Sequence, residues 1–374
     1  MKKVYNSIYS FFLNLLKKVE ITKTFIVEWY AIFRKKHLYT DIVWTNKQQD
    51  EFDAFWKEHY GKKISNRWHR LYEAITGVYR IDYFPEILYS VKYEPMVNNL
   101  EYSTVFSDKT LNDLLFNNKL ENVRTPNYYL FNNHGHFYDS ERNIVSLDKA
   151  IELLRNIGEA VIKPTVDSSS GKNVCIIEMS HGKDKRTGKT AKEIIQKYKN
   201  NFIVQERIKP CIELETLYSS SINTIRVISY ILNNSVHILP ISLRIGGNGS
   251  EVDNIHAGGM SIGVKNDGTL RKYAYRLGYG DSFEKYTQHP DTNVIFEGYK
   301  LSFIDDLIMT AKKLHGMTAN IGIISWDFTI DNNGSIVVIE ANYKGQSVWF
   351  PQMLSGEALF GENTANVLKL LKNK

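Results

Sequence analysis

Two apolar runs near the C-terminus, ISWDFTI and SIVVIEAN, are separated by the polar residues Asp331–Gly334. Aspartate, asparagine and glycine favour tight turns, so the pattern predicts a β-hairpin. If the turn pairs Ile330 with Ser335, Asp327 lies opposite Val338. Side chains alternate along a strand with a period of two, so the register decides which polar groups share a face.

Three oxygen-bearing side chains fall on one face of this hairpin, namely Asp327, Glu340 and Asn342. Carboxylate and amide oxygens are the ligands that Mg²⁺ prefers, and Mg²⁺ usually bridges to substrate phosphates. Neither run contains a cationic side chain. The sequence therefore predicts a metal site in which two like charges lie close together, so replacing either carboxylate is expected to leave the fold intact.

Two upstream segments are candidates for binding phosphate. Lys163 ends an apolar run and is followed by the Ser/Gly loop 167–171, whose backbone N–H groups and hydroxyls could contact phosphate oxygens. Lys109 lies at the start of a predicted helix that Ser107 or Asp108 would cap. Each also has a simpler interpretation, since a lysine before a polar turn is often a solvated strand end and Lys109 could begin an ordinary helix.

In this order along the chain, the motifs resemble the ATP-grasp superfamily. They are Lys109, Lys163 with its loop, FIVQERI, SINTIRV, LRIGGNGSEVDNIHAGG, WDFTI and VIEAN. The series covers roughly residues 100 to 350 and is most similar to the sugar-transfer-associated ATP-grasp proteins, which are encoded with cell-surface polysaccharide genes. No single motif is decisive, and the specificity lies in their order.

The resemblance implies roles for individual residues. The two lysines would hold the α and β phosphates under the Ser/Gly loop, the hinge after FIV would read adenine through its backbone, and one glutamate would bind the ribose. The residues assigned to the nucleotide are Lys109, Lys163, Ser168, Ser169, Ser170, Gly171, Gln205, Glu206, Arg207, Ile208 and Glu213. Mg²⁺ would be held by Asp327, Glu340 and Asn342.

Three more residues are expected at the transferred phosphoryl group. Arg226 and Arg244 would neutralise its charge, and Asn254 would face metal, nucleotide or substrate. From the residues alone, an arginine within a strand such as TIRVISYIL either forks onto an anion or pairs with a buried carboxylate. The resemblance favours the phosphoryl role. Gly258 and Gly259 would allow close backbone approach, or would simply form a tight turn.

Several other motifs lack the spacing that their chemistry requires. GKDKRTGKT has five residues between Gly182 and Gly188, whereas a P-loop has four, so an exposed basic loop is predicted. His134 and His136 are two residues apart with no further ligand nearby, which indicates a polar turn. H-E-x-x-H, G-x-S-x-G and a glycine-rich dinucleotide fingerprint do not occur. Hydrolase and dehydrogenase functions are therefore not supported.

Composition and charge narrow the setting. Cys175 and Cys211 are the only cysteines, both in apolar segments, so no disulfide framework is expected and a reducing cytoplasm fits.

Residues 1–40 carry eight Lys and Arg side chains against two glutamates, so their net charge of +6 equals that of the whole chain. An amphipathic helix within residues 1–20 would either contact anionic lipid on the inner face of the cell membrane or pack on the protein. Acidic residues mixed into the later segments argue against nucleic acid.

The expected fold is an α+β ATP-grasp fold, in which two α/β subdomains clasp ATP after a helical N-terminal region. The predicted boundaries are 1–100 for the helical region, 101–205 for the first subdomain and 206–374 for the second. The resemblance implies an ATP- and Mg²⁺-dependent carboxylate–amine ligase acting on a carboxylate-bearing glycan or an amino acid in surface-polysaccharide or glycoconjugate synthesis. A kinase of a sugar or lipid-linked hydroxyl and a non-catalytic nucleotide-binding scaffold are the alternatives.

Overall fold

The computed structural model describes residues 19–166, 173–278 and 282–373. These residues form two compact units. The first combines the chain up to Leu100 with the segment from Lys344 onwards, and the second comprises Glu101–Gly278 and Phe283–Tyr343.

The described helices alternate with short connections. In chain order they are α1 (19–34), α2 (Lys36–Tyr39), α3 (Asn46–His59), α4 (Arg67–Thr76), α5 (Glu86–Leu88), α6 (Glu94–Val97), α7 (Leu100–Phe106), α8 (Asn112–Phe116), α9 (Leu147–Asn156), α10 (Ala191–Tyr198), α11 (Ile212–Leu217), α12 (Ile304–His315), α13 (Trp349–Ser355) and α14 (Thr364–Lys372). A π-helical segment joins α5 to α6, and single 3₁₀ turns occur at Lys109–Leu111, Ile255–Ala257 and Gly361–Asn363.

The strands that the structure describes are all in the second unit. They are β1 (Val123–Arg124), β2 (Tyr128–Asn133), β3 (His136–Asp139), β4 (Ile144–Val145), β5 (Glu159–Pro164), β6 (Cys175–Ser180), β7 (Lys183–Asp184), β8 (Phe202–Glu206), β9 (Ile225–Leu232), β10 (Ser235–Ile238), β11 (Ile241–Ile245), β12 (Met260–Val264), β13 (Leu270–Leu277), β14 (Phe283–Tyr286), β15 (Ile323–Ile330) and β16 (Ile336–Asn342).

The first unit is helical, and its C-terminal helices pack on N-terminal ones, α13 on α4 and α14 on α3. Buried Glu86 accepts a hydrogen bond from the backbone N–H of Val348 at 2.9 Å, and Glu94 accepts one from Gly345 at 3.0 Å. Burial raises the pKa of Glu86 to about 8. Two acidic side chains therefore hold the chain as it re-enters this unit.

The smaller sheet of the second unit has the order β4-β3-β2-β8-β5-β6-β7. Helices α9 and α10 place their apolar faces against it, and each begins at a residue that satisfies free backbone N–H groups. Ser146 caps α9, and Thr190 with Glu193 forms a capping box on α10. Ala160 and Ile162 of β5 and Leu154 of α9 are fully buried in the resulting core.

The larger sheet has the order β1-β16-β15-β9-β11-β12-β13-β14, with β10 beside β9. All neighbours are antiparallel except β1 and β16. Helix α12 packs on β9, β10 and β15, and buries Leu307 in a core with Val227 and Trp326. The order matters for function because it places β15 between β16 and β9.

The predicted hairpin is present as β15 and β16, but its predicted register was wrong. Ile330 pairs with Ile336 rather than Ser335, because the Asp331 carboxylate closes a longer turn by accepting the backbone N–H of Ser335 at 2.8 Å. A β-bulge at Asp327 then places it opposite Glu340 instead of Val338. The bulge offsets the register error, so Asp327 and Glu340 still lie on one face.

The cysteines do not form a disulfide, as predicted. Cys175 lies in β6, whereas Cys211 lies at the start of α11 and not in a strand. Both thiols are free and partly buried.

Candidate active site

A cavity of about 520 Å³ lies in the second unit, between residues of the smaller and larger sheets. Its apolar lining includes Val161 and Ile176 from the smaller sheet and Ile339 from β16. Its charged lining includes residues that are far apart in sequence. The two sheets together therefore provide apolar walls and a cluster of charges in one cavity.

Asp327 is the centre of this cluster. It is only 2% exposed, and Arg226 donates two hydrogen bonds to its carboxylate, from Nε at 2.9 Å and from a terminal nitrogen at 2.8 Å. Arg244 adds a third contact at 2.9 Å. Burial raises the pKa of Asp327, but the two guanidinium groups outweigh it and hold that pKa below its ordinary value. Asp327 is therefore ionised at neutral pH.

The sequence-based expectation that the metal-site carboxylates lack cationic partners was wrong. Arg226 lies on the neighbouring strand β9, directly opposite Asp327, and Arg244 lies on β11 next to β9. Lys109 forms an ion pair with Glu340, Nζ to Oε1 at 2.9 Å. In the free protein, Arg226 thus pairs with a buried carboxylate, which was one of the two alternatives open for a strand arginine.

Two buried lysines face the same carboxylates. Lys109 lies on a 3₁₀ turn capped by Asp108, and its backbone N–H donates to Thr165 at 2.9 Å. Lys163, 8% exposed, lies on β5. The pKa of Lys163 is lowered to about 8, mainly by burial and then by nearby Lys109, while Glu340 and Asp327 act in the opposite direction. An anion entering the cavity would stabilise the charged form of Lys163.

Arg244 is held from a second side by Thr224 and Asp253, two residues outside the site predicted from the sequence. Its Nε and a terminal nitrogen donate to Thr224 Oγ1 at 3.0 and 2.7 Å. The Asp253 carboxylate accepts from the backbone N–H and the hydroxyl of Thr224 at 2.8 and 2.5 Å. Both residues line the cavity. In the sequence, Asp253 could have been found from its position next to Asn254 in the motif LRIGGNGSEVDNIHAGG.

The loop that carries Asp253 needs glycine. A Cβ on Gly259 would lie 2.8 Å from the backbone oxygens of Asp253 and Asn254, and Gly258 has φ +91°. The close backbone approach is present at Gly259, whereas Gly258 supplies the positive φ of the turn. Asn254 lines the cavity, where its carbonyl accepts the N–H groups of Ala257 and Gly259.

The predicted hinge borders the cavity through Gln205, Glu206, Arg207 and Ile208. The Glu206 carboxylate is occupied by Arg124 and by the backbone N–H of Asn127 at 3.1 Å, so its side chain supports the hinge. Among the described residues, none hydrogen-bonds to the backbone of Ile208. That backbone is therefore available to a ligand.

Arg207 belongs to an ion-pair network at the cavity edge. It contacts Glu159 and, at 3.6 Å, Glu251, while Arg186 contacts Glu251 at 2.5 Å. These four residues lie on β5, the turn after β7, the hinge and the loop after β11. The network joins the smaller sheet to loops of the larger sheet, and no sequence motif pointed to it.

Glu213 is not brought to the cavity. Its carboxylate accepts from the backbone N–H and the hydroxyl of Ser302 at 2.9 and 2.7 Å. Glu215, two residues further on α11, lines the cavity instead. Ser168, Ser169, Ser170 and Gly171, the predicted phosphate loop, lie outside the described residues.

The donor set expected for Mg²⁺ is partly assembled. Asn342 donates to Asp327 at 3.5 Å and to the Ser325 carbonyl at 3.3 Å, and Glu340 lies opposite Asp327. Two carboxylates and an amide fit the chemistry of a hard cation. Within the described ranges, no three His, Cys, Asp or Glu residues are grouped as metal ligands. Any metal would therefore depend on these two carboxylates, the amide and oxygens from the substrate.

No residue of the false P-loop lines this cavity, although Arg186 of that loop forms an ion pair with the cavity residue Glu251. Asp184 of β7 organises it by accepting from the N–H and hydroxyl of Thr187 at 3.1 and 2.6 Å, and Lys189 is exposed. His134 occupies a turn with φ +49°, as its polar context predicted.

Solved structures with a similar fold include D-alanyl-alanine synthetase A from Vibrio cholerae, which has a TM-score of 0.40 and 14% identity, with 74% of this chain and 68% of that chain covered. The D-alanine–D-alanine ligase from Coxiella burnetii has a TM-score of 0.39 and 11% identity, with 74% of this chain and 59% of that chain covered. The VanG D-Ala:D-Ser ligase from Enterococcus faecalis has a TM-score of 0.40 and 13% identity, with 74% of this chain and 64% of that chain covered. A comparison with curated proteins finds no match.

Two α/β layers around a cavity with lysines, arginines and a carboxylate hairpin define the ATP-grasp class. The sequence profile of the sugar-transfer associated ATP-grasp family matches residues 88–368. The chain belongs to this family. The predicted family and the predicted α+β ATP-grasp fold with its preceding helices are therefore confirmed, and family membership supports the prediction that the protein is an ATP-grasp enzyme.

Proposed function

We propose that the protein is an ATP-dependent carboxylate–amine ligase that acts in cell-surface polysaccharide or glycoconjugate synthesis. The observation that carries the proposal is the buried cluster of Lys109, Lys163 and Arg244 around Asp327 and Glu340, in a cavity of about 520 Å³. Pockets for small molecules span about 300–1,000 Å³. Lys109 and Arg244 already pair with Glu340 and Asp327, whereas no described residue forms an ion pair with buried Lys163, so a polyphosphate would complete this cluster.

The nucleotide is proposed to lie along the hinge. Val161, Ile176 and Ile339 offer apolar surface for a base, and the backbone of Ile208 is available for its hydrogen-bonding edge. Glu215 takes over the ribose role first given to Glu213, because only Glu215 lines the cavity. Lys109 and Lys163 then face the phosphates, where a charge-assisted contact is strongest in a buried site.

The arginines are proposed to serve the transferred phosphoryl group. Asp327 already holds both arginines in place, and Arg244 itself lines the cavity whereas Arg226 does not, so little reorganisation is needed when charge develops nearby. Asn254 lies in the same lining. When bound by Asp327, Glu340 and Asn342, Mg²⁺ would supply charge neutralisation between phosphate oxygens.

The proposed reaction joins a carboxylate and an amine. The γ-phosphoryl group of ATP passes to a carboxylate oxygen, giving ADP and an acyl phosphate. The amine nitrogen then attacks the acyl carbon, the bond to phosphate breaks, and amide, phosphate and a proton are released. The protein positions the reactants and stabilises charge, and no side chain needs to form a covalent bond. A uronic acid with an amino acid, in either role, fits this chemistry, and the need for ATP suits a cytoplasmic site.

A kinase would use the same phosphate groups but needs a base beside a hydroxyl. Asp253 is the buried cavity carboxylate without an arginine contact shorter than 4.0 Å, yet it already accepts two hydrogen bonds from Thr224. The structure thus offers this alternative one candidate base, which is already committed to positioning Thr224.

The test is incubation with ATP, Mg²⁺, uronic-acid glycans and amino acids, followed by mass analysis. An amide product with stoichiometric phosphate is expected. Addition of a phosphoryl group would instead identify a kinase, and nucleotide binding with no product under any acceptor would identify a scaffold. The Lys163→Ala variant is the control, because it should reduce whichever ATP-dependent product forms.

A further inference from the structure

Helix α1 in the first unit carries a large exposed apolar face. Phe25, Ile26, Trp29, Tyr30 and Phe33 are each 46–57% exposed. The end of the helix is anchored, because Ile32 is buried in a core with Tyr39 and Trp68. In a monomeric soluble protein, contiguous apolar patches of this kind mark interaction sites.

The five side chains share one side of the helix. At about 100° per residue they fall within an arc of about 140°. Lys23 and Arg34 follow at one edge of that arc, while the acidic residues of the described helix, Glu20 and Glu28, lie outside it. The face is therefore mainly aromatic, bordered by cations at one edge and free of acidic groups.

A second feature adjoins this face. Phe33 also lines a cavity of about 220 Å³ together with Lys36, Tyr39, Thr40, Arg67 and Arg70. No acidic residue is in that lining. Arg70 donates to the Ile42 and Tyr39 carbonyls at 2.7 and 3.0 Å, whereas the side chains of Lys36 and Arg67 form no ion pair among the described residues. Three cations thus surround a space that contains no compensating charge.

We propose that α1 docks the protein on an anionic lipid bilayer, with a phospholipid phosphate in the cavity formed by Lys36, Arg67 and Arg70. Aromatic rings with polar edges favour the interface between lipid and water, and basic residues are attracted to anionic headgroups. In the parts of the chain that are described, no helix has the length and apolarity needed to cross a membrane. The contact is thus peripheral.

A second copy of the chain fits this surface less well. A two-fold interface places the same patch on both partners, so the cations that border it on one copy would be brought near those of the other. These cations are Lys23, Arg34, Lys36 and Arg67. Like charges brought together in this way oppose association. The lipid proposal goes beyond the proposed ligase activity and does not depend on it.

Co-sedimentation of the full chain with vesicles tests the proposal. Binding is expected to vesicles of phosphatidylcholine with phosphatidylglycerol, to be weak with phosphatidylcholine alone, and to fall as salt rises. Lys36→Gln with Arg67→Gln should weaken binding about fivefold per residue, or about 25-fold together. Trp29→Gln with Phe33→Gln should weaken it by at least about tenfold per residue.

Matched controls are exposed residues of the second unit. Ile144→Gln with Ile295→Gln, and Lys189→Gln with Lys192→Gln, should sediment as the wild type does. The variants at Lys36 with Arg67 and at Trp29 with Phe33 should keep wild-type thermal unfolding and nucleotide affinity, so a failure of lipid binding is separable from a failure of the ligase proposal.

Three results would overturn the proposal. The first is an absence of binding to anionic vesicles at low salt. If inorganic phosphate binds at Lys36 and Arg67 while anionic vesicles do not bind, the cavity takes free phosphate and the proposal is equally overturned. The second is vesicle binding that neither the Lys36 and Arg67 variant nor the Trp29 and Phe33 variant weakens. The third is a dimer in sedimentation velocity that Trp29→Gln with Phe33→Gln dissociates while vesicles bind neither form.

Discussion

Replacing Asp327 by asparagine removes the buried charge that pairs with both Arg226 and Arg244. Asp327 is 2% exposed, while the Arg226 and Arg244 side chains retain 28% and 23% exposure. Breaking a buried ion pair costs about 3–5 kcal/mol because a charge is left without a partner. Water reaches both arginines in part, so we expect a loss of about 2–4 kcal/mol in the free energy of unfolding.

Urea unfolding of the ligand-free protein measures this loss. The pKa of Asp327 is held below its ordinary value, so its contribution is complete above about pH 4 and disappears as pH falls through the folded-state pKa. The difference between wild type and Asp327→Asn should therefore be constant from about pH 5 to 8 and shrink in acid. Asp50→Asn, at an exposed position of α3, should change stability by less than about 0.5 kcal/mol.

An Asp327→Asn variant that does not lose stability would contradict this reasoning. If Asp327→Asn were as stable as the wild type or more stable, repulsion between Asp327 and Glu340 would outweigh the arginine pairs, as the hairpin sequence alone suggested. A double variant that adds Arg226→Met should recover part of the loss, because it removes one of the two unpaired guanidinium groups.

The remaining predictions concern the nucleotide side of the cavity. Lys163→Met should weaken ATP binding about 10- to 150-fold, whereas Lys189→Ala should not change it, as isothermal titration can show. The same Lys163→Met should stabilise the free protein at pH 7 by up to about 3 kcal/mol, since burial lowers the pKa of Lys163 to about 8; this gain should decline between pH 8 and the ordinary lysine pKa. Glu340→Gln should raise the Mg²⁺ concentration needed for turnover, and unchanged activity at limiting Mg²⁺ would remove it from the metal site. Glu215→Gln should weaken ADP binding, whereas Glu213→Gln should leave it unchanged and cost about 1 kcal/mol of stability; the reverse pattern would restore Glu213 as the ribose ligand.

The sequence by itself determined the features that follow from local geometry. The two-residue period of a strand placed Asp327, Glu340 and Asn342 on one face, and this survived an error in the turn because a bulge compensated for it. The order of the motifs along the chain identified the family and the fold. The helical turn that begins at Lys109 was predicted because an aspartate before such a turn caps it through a local hydrogen bond.

Tertiary structure decided which charges meet. Arg226 and Asp327 are 101 residues apart, and they pair only because β9 lies next to β15 in the sheet. Nothing in either segment specifies that order. The charge state of the site therefore depends on strand order, and the hairpin alone suggested repulsion where the fold provides attraction.

The sequence also did not determine which way individual helical side chains point. Glu213 and Glu215 are two positions apart on α11, so they point about 200° apart around the helix axis, and only packing decides which one faces the cavity. The same holds for α1, whose apolar residues resemble those of a buried helix in composition. Their exposure is set by what packs on them, and a linear pattern of residues does not contain that information.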